Sequence, residues 1–346
     1  MAQILSYKDS FKEIEKIGVN VIFGAILPYA DYTFGIPTYK RSKDLEKAIE
    51  SIYSQKTDIP FNVIVVDNNS ERNDETECLL LDKYSSKSNF QYLKNNENIG
   101  MAGNWNRLFL QCQSKYLIML HDDDYLYDFF LSYMDMLVHS IPDFSVINSR
   151  KKKWNGRDAV HQYSPLGQVT YIEHSAYTNL LNYEFYAPSG CLFNMENIIN
   201  AGGFDSQTYP SIDYVFILKL LLNKKKCITT TDELMLYRCV DNATSKKKTV
   251  LLWIDFEYKL KRELTEFLNL NLFIRKLVVA YTTKYWLNTL HRQFGEKIIY
   301  KKISAPSRPC MAFIRLIRYL VQTIFINRLH KKSTQRMLRP NNEYFK

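Results

Sequence analysis

Three consecutive aspartates, Asp122, Asp123 and Asp124, stand in HDDDYL (121–126) directly after the apolar run KYLIML (115–120). Adjacent carboxylates repel one another unless a cation joins them. Hard divalent ions such as Mg²⁺ and Mn²⁺ take carboxylate oxygens and are readily shared with phosphate. The same residues would also serve as an acidic turn or a helix start, where carboxylates favour the dipole. Two more polar clusters follow apolar runs in the same way, PTYKR (37–41) and DNNS (67–70). Asp67 by itself reads equally well as a turn residue, since Asp and Asn favour turns.

The elements that must carry these clusters are readable from periodicity. YTFGIP (32–37) predicts a strand, and 42–55 a helix with Leu45, Ala48, Ile49 and Ile52 on one face. FNVIVVD (61–67) is a β-branched run of the kind buried on both faces of a sheet. A polar helix near 74–86, a strand FQYLKN (90–95), a helix near 101–113 and the strand 115–120 complete the series. Strand–helix alternation at this rhythm predicts right-handed crossovers and a mostly parallel sheet. In such sheets ligands bind beyond the carboxyl ends of the strands, where the polar clusters stand. Residues 150–250 are less regular, with a helix near 211–223, and two helical stretches occupy 250–295.

Composition narrows the class. The chain has 346 residues, 46% hydrophobic and 24% charged, with 11 Gly and 10 Pro. It can bury a large core and is neither disordered nor collagen-like. Of the net charge of +10, all resides in residues 301–346, which hold 11 Lys/Arg and one acid, Glu343; the first 300 residues are neutral. Within that tail, residues 310–330 set Arg315, Arg318 and Arg328 among aliphatic and aromatic side chains, the pattern of a helix lying in an anionic membrane interface. A core helix with a basic outer face is the plainer reading, and nucleic acid fits less well because of the apolar density. The six Cys lack metal or redox spacing, the start of the chain has no secretory pattern, and no run reaches the ~18 apolar residues of a spanning helix. These features predict a cytoplasmic protein. A G-x-S-x-G elbow and a P-loop are both missing.

The ordered set PTYKR, VVDNNS (65–70), NNENIGMAGNWN (95–106) and HDDD resembles the inverting glycosyltransferases of family 2, over about residues 32–245. The resemblance implies the GT-A (nucleotide-diphospho-sugar transferase) α/β fold with a helical, basic C-terminal region. It implies that Pro37, Thr38, Tyr39 and Arg41 line a nucleotide pocket, that Asp67 hydrogen-bonds uracil with Asn69 nearby, and that Asn98, Gly100 and Asn104 close over the nucleotide. By the family's D-x-D pattern, Asp122 and Asp124 hold Mn²⁺ or Mg²⁺, with one carboxylate near the ribose; Asp123 could replace either, because three in a row leave the register open.

The family places its base after a Gly-Gly-Phe-Asp segment, here 202–205, as the second residue of a Glu-Asp pair. This chain reads Ile212–Asp213, so Asp213 keeps the catalytic position and the Glu is missing. Ser189 and Gly190 resemble the small residues beside the sugar, and Arg238 of YRCVDNATS (237–245) a diphosphate contact. Val240 stands where the family has a metal-binding His; His121 and His174 could substitute by chemistry but read as structural.

The expectation is therefore an inverting, metal-dependent transferase moving a hexose or N-acetylhexosamine from a UDP-sugar. Its acceptor would be a hydroxyl of a polyprenyl-diphosphate-linked glycan, with a β-linked product in bacterial surface-polysaccharide or O-antigen synthesis. The expected layout is an extension (1–31), the GT-A domain (32–249), a helical region (250–300) and a basic amphipathic tail (301–346). The tail would hold the protein on the inner face of the inner membrane. A catalytically silent sugar-nucleotide-binding protein of the same fold is the alternative.

Overall fold

A computed structural model describes residues 4–155, 171–180, 187–239 and 246–295, with isolated helical positions at 312 and 316. The predicted tail helix 310–330 otherwise lies outside the described residues, as does Val240. Each strand–helix unit of the sequence is present. The first are β1 (Val19–Gly24), β2 (Tyr32–Thr38), α2 (Ser42–Tyr53), β3 (Phe61–Asp67), α3 (Glu75–Tyr84) and β4 (Phe90–Asn95), with a short α1 (Phe11–Glu15) ahead of them. They continue with α4 (Gly100–Gln111), β5 (Tyr116–Met119), β6 (Tyr125–Leu126), α5 (Phe130–Ser140) and β7 (Phe144–Trp154). Then come β8 (Tyr171–Glu173), β9 (Cys191–Asn194), α6 (Met195–Ile199), α7 (Ile212–Leu222) and β10 (Lys226–Arg238), and finally α8 (Lys247–Phe267) and α9 (Leu272–Phe294).

The strands form one ten-stranded sheet in the order β1-β4-β3-β2-β5-β9-β7-β10-β6, with β8 on β10. Strands β4, β3, β2 and β5 are parallel, whereas β1 and β9 enter antiparallel on either side of them. The expected parallel sheet is thus parallel in one half and mixed in the other. The described part of the expected extension, residues 4–31, is joined to it, because β1 pairs along β4 and Phe11 of α1 packs in the core.

Val63 to Val66 of β3 are wholly buried. Alternate residues serve opposite faces, as a strand requires. Val63 and Val65 pack with Phe34, Ile36, Leu45 and Phe130 on one face, and Ile64 and Val66 with Leu93, Leu108, Leu117 and Phe216 on the other. The α8–α9 hairpin shares a third cluster with α7, in which Leu260, Leu264 and Val278 meet Tyr214, Val215 and Leu218.

The chain lays down β2, β3 and β4 outward in one direction, then returns to place β5 on the other side of β2. The β2–β5 boundary is therefore a topological switch point, where the connections leaving the two strand ends diverge and open a crevice. Strands β7 and β10 run in the same direction as β5, so their carboxyl ends open on the same edge.

Candidate active site

Thr38 ends β2 and the aspartate cluster begins just past β5, on either side of the switch point. The two sides are joined directly. The Thr38 hydroxyl donates to Asp122 Oδ2 at 2.8 Å, and Arg41 Nη1 lies 3.4 Å from Asp122 Oδ1 and 2.8 Å from Asp123 Oδ2. Burial nevertheless pushes the Asp122 carboxyl up to about 6, against the pull of Arg41. Pro37 is buried in the strand, while Tyr39 is exposed at the mouth.

Asp122 and Asp124 play different parts. Asp122 has both oxygens engaged by Thr38 and Arg41. Asp124 accepts the backbone N–H of Arg238 on Oδ1 at 2.9 Å, and its Oδ2 is buried with no hydrogen-bond partner among the described residues. The Nε2 of His121 is likewise buried and unpartnered. Ligand atoms of His121, Asp123 and Asp124 lie within 4.8 Å of one another. Of the expected Asp122–Asp124 pair, Asp124 thus stands in a cluster with His121 and Asp123, while Asp122 is turned to Thr38 and Arg41. His121, read from the sequence as structural, belongs to the cluster.

These donors fit a divalent cation. Burial lowers the His121 pKa to about 4, which leaves the imidazole neutral with a lone pair to give, and raises Asp124 to about 7. Two buried polar atoms without hydrogen-bond partners are costly to leave so, and a cation would complete the Asp124 oxygen and, in the tautomer with its lone pair on Nε2, the imidazole. The imidazole is held in place by stacking on Trp105, ring centroids 5.6 Å apart, and by its backbone N–H, which donates to Ser189 Oγ at 3.0 Å.

The nucleotide-side residues form a mesh of amides at the ends of β2, β3 and β4. Asn104 donates to the carbonyls of Thr38 and Val66 (3.4 and 3.2 Å) and accepts from Asn95. Asn68 donates to Asn98 Oδ1 at 2.8 Å and accepts the Ile99 N–H, and Asn98 in turn accepts the Gly100 N–H. Gly100 has φ +73 with nothing within 4 Å of an added Cβ, so its backbone requires glycine while its space is open.

Asp67, expected as a base-contacting carboxylate, ends β3 inside the sheet edge. It is fully buried, accepting from Tyr92 OH at 2.7 Å and the Asn69 N–H at 2.9 Å, with Lys94 Nζ 3.7 Å away. In this conformation it anchors the strand-end loop. Asn69 is turned toward Asp74, at 2.5 Å.

On the far side of the cluster, Gly190 donates its N–H to Met119 O, and its φ of +73 lets the chain pass where a Cβ would meet Met235 Sδ at 2.1 Å and Ser149 Oγ at 2.4 Å. Asp213, in the first turn of α7, is half-buried beside Ala187, Pro188, Cys191, Phe193, Phe204 and Ile217. This largely apolar wall raises its carboxyl to about 7. The Gly-Gly-Phe-Asp loop is latched to α4 by Asn106, which donates to Phe204 O and accepts Phe204 N–H, both at 2.8 Å. Phe204 also meets the Trp105 ring that supports His121, at 5.1 Å. Arg238 reaches the site through its backbone, while its guanidinium bridges Asp44 of α2 at 2.6 Å. His174 instead binds Thr229 Oγ1 at 2.7 Å.

Sequence reasoning missed Asn68, Tyr92, Trp105, Asn106 and Lys151. Of these Asn68, Trp105 and Asn106 lie inside the quoted motifs, whereas Tyr92 and Lys151 do not.

The comparisons with known proteins bear on the fold that carries these residues. Residues 33–197 match the model of glycosyl transferase family 2. An uncharacterized protein of Mycobacterium tuberculosis (strain CDC 1551 / Oshkosh) is 23% identical over 210 residues, 56% of this chain and 62% of its own length. The chain thus spans about three fifths of that relative. Among solved structures, Staphylococcus aureus TarS 1-349 in complex with UDP-GlcNAc superimposes with a TM-score of 0.54 at 19% identity, covering 76% of this chain and 73% of TarS 1-349. The Pyrobaculum calidifontis mannosyltransferase PcManGT, in complex with GDP-Man and Mn2+, gives 0.52 at 15% identity, covering 92% and 88%. Motif order and the switch-point cleft accord with the family 2 match over residues 33–197, and the two solved structures share the fold of this chain, a central sheet flanked by helices.

Proposed function

We propose that the protein is an inverting, metal-dependent glycosyltransferase using a UDP-sugar, and that it transfers a hexose or N-acetylhexosamine to a glycan hydroxyl. The observation that carries this reading is the pair of buried, unpartnered acceptors, His121 Nε2 and Asp124 Oδ2, beside Asp123 at the switch point, with the Asp213 carboxyl on the same edge. A divalent cation held by these three residues would neutralise charge on the departing diphosphate.

The chain's own residues supply the rest. Tyr39, the Asn68–Asn98 mesh and the Gly100 turn border the nucleotide. Thr38 and Arg41 fix Asp122 beside the ribose. Asp213 removes the proton of the acceptor hydroxyl as its oxygen attacks the anomeric carbon from the face opposite the diphosphate. An α-linked donor then yields a β-glycoside. A base contributes most when its pKa lies near the working pH, and burial brings Asp213 there.

The acceptor belongs to the same proposal: a glycan on a polyprenyl diphosphate, reached at the inner face of the bacterial membrane by the basic tail 301–346. Support for it comes from the sequence of the tail and the family resemblance. No helix among the described residues is long and apolar enough to cross a membrane.

Thermal unfolding with UDP, GDP, dTDP and CMP, each with and without Mn²⁺, tests the reading. Ligand at ~100 times its dissociation constant stabilises by about 2.7 kcal/mol. A UDP shift that requires Mn²⁺ supports it, and a shift with another nucleotide alone changes the donor. No shift, together with no UDP release from any UDP-sugar, indicates the silent binder favoured by Ile212 and Val240.

A further inference from the structure

We propose that Lys151 binds the diphosphate of the donor at the oxygen released when the glycosidic bond breaks. The assignment rests on the reading of the cleft as a site for a nucleoside-diphosphate sugar.

Strand β7 is buried from Phe144 through Ser149 and then becomes cationic. Arg150, Lys152 and Lys153 are exposed, but Lys151 turns back and is half-buried. Its Nζ is held by Asn148 Oδ1 at 2.7 Å and lies 3.4 Å from Ser149 O. Asn148 is itself fixed, donating to Thr229 Oγ1 at 3.2 Å and accepting from the Cys191 thiol at 3.3 Å. The cradle is neutral throughout, and an ammonium has three N–H donors, so one remains for a ligand.

No carboxylate among the described residues forms an ion pair with this ammonium. Lys94, the other lysine held inside the sheet edge, has Asp74 at 2.9 Å, Glu77 at 3.2 Å and Asp67 at 3.7 Å. A cation drawn away from water without a counter-charge is costly, and burial lowers the Lys151 pKa accordingly. Such a group is explained when an anion completes it. The carboxylates it senses at longer range are Asp124 and then Asp213. In the proposed reaction Asp124 stands on the leaving-group side and Asp213 on the acceptor side. The anion that comes between them is the sugar's own diphosphate.

The chemistry balances without a proton from Lys151. The acceptor oxygen forms a bond to the anomeric carbon and gives its proton to Asp213. The bond from that carbon to the diphosphate oxygen breaks, and the electron pair stays on this oxygen. A positioned ammonium stabilises the charge as it develops, the same work that hydrogen-bond donors perform in other group transfers.

The test compares the full chain with Lys151→Met and Lys151→Arg, using calorimetric binding of UDP and UMP with Mn²⁺ and UDP release from a UDP-sugar. In Lys151→Met, UDP affinity should fall roughly 10-fold or more, as for loss of a charge-assisted hydrogen bond, while UMP affinity is unchanged. Turnover should fall about 10²–10³-fold, and Lys151→Arg should recover most of it. The melting temperature of Lys151→Met without ligand should stay level or rise, because an uncompensated cation has been removed.

Three outcomes overturn the assignment. The first is UDP affinity and turnover like the parent's, and the second is equal loss of UMP and UDP. The third is unchanged UDP affinity with a lost preference for UDP-glucuronate over UDP-glucose, which would make the anion a sugar carboxylate. Failure of the parent chain to bind UDP at all defeats the nucleotide reading first, before any variant is compared, and takes this assignment with it.

Discussion

Asp213 is the base of the proposed reaction, and its environment sets a measurable pH dependence. Burial raises its carboxyl from the ordinary range to about 7. A base must be ionised, so transfer should rise with pH through about 7 and level off above it. Asp213→Asn should lower UDP-sugar turnover by about 10²–10⁴-fold with UDP affinity retained. Retained full activity would remove Asp213 as the base. The same shift acts on stability with the opposite sense to that of a paired carboxylate. The folded state disfavours the ion, so stability is lost as pH rises from the unfolded value of 3.8 toward 7. Asp213→Asn should therefore raise the melting temperature at pH 8 and leave it unchanged at pH 4. His121 has a separate signature: His121→Ala should raise the Mn²⁺ concentration for half-maximal activity by roughly 10-fold or more, while metal-independent UDP binding persists.

At the scale of elements, the site depends on how closely the chain passes its neighbours at two glycines. Gly190 and Gly100 both hold positive φ, but only Gly190 is crowded, by Met235 and Ser149. Gly100→Ala should cost only the left-handed backbone term, about 1–2 kcal/mol. Gly190→Ala should cost more and also reduce activity, since the Met235 and Ser149 side chains must move aside next to the aspartate cluster. Equal melting temperatures for the two variants would show that these side chains move aside freely. Helix α8 is coupled to the base in a similar way. Trp253 Nε1 donates to Ser211 Oγ at 2.9 Å, just ahead of α7, and Lys261 Nζ donates to Asn179 O at 3.0 Å and Tyr214 OH at 2.7 Å. Burial lowers the Lys261 pKa to about 8. Trp253→Phe keeps the aromatic packing on Trp286 and removes the hydrogen bond. It should destabilise by about 1 kcal/mol and slow turnover more than it weakens UDP binding.

For the whole molecule, charge separates into a neutral body and a cationic end. The 11 Lys/Arg of residues 301–346 offer about 1 kcal/mol each to an anionic surface when close to it. Deleting residues 310–346 should move the protein from the membrane fraction to the soluble fraction in fractionated cells. High salt should mimic the deletion in part, because exposed charges are screened. Sedimentation of the shortened chain with membranes would refute the tail as anchor. Among the described residues the three main clusters involve side chains up to Val278, and unchanged thermal unfolding of the shortened chain would show that they stand without the tail.

The sequence by itself determined the half of the molecule built from local pattern. Runs such as FNVIVVD can only be satisfied between two covering layers, and the polar clusters after β2, β3 and β5 had to emerge at one edge once the strands were parallel. Fold, cleft and the aspartate cluster were legible for that reason. Tertiary structure decided which atoms in the cleft are already engaged. Asp122 and Asp124 look equivalent in HDDD, yet Thr38 and Arg41 hold one, while the other keeps a bare oxygen beside His121. Asp67 appeared free to meet a ligand, but Tyr92 and the Asn69 N–H engage both its oxygens. Lys151 was indistinguishable within RKKKW, because an unpaired cation is defined by the carboxylates that fail to reach it. The deciding partners of Asp122 and Asp67, Thr38 and Tyr92, stand 84 and 25 positions away in the chain, and no local pattern of residues encodes such contacts.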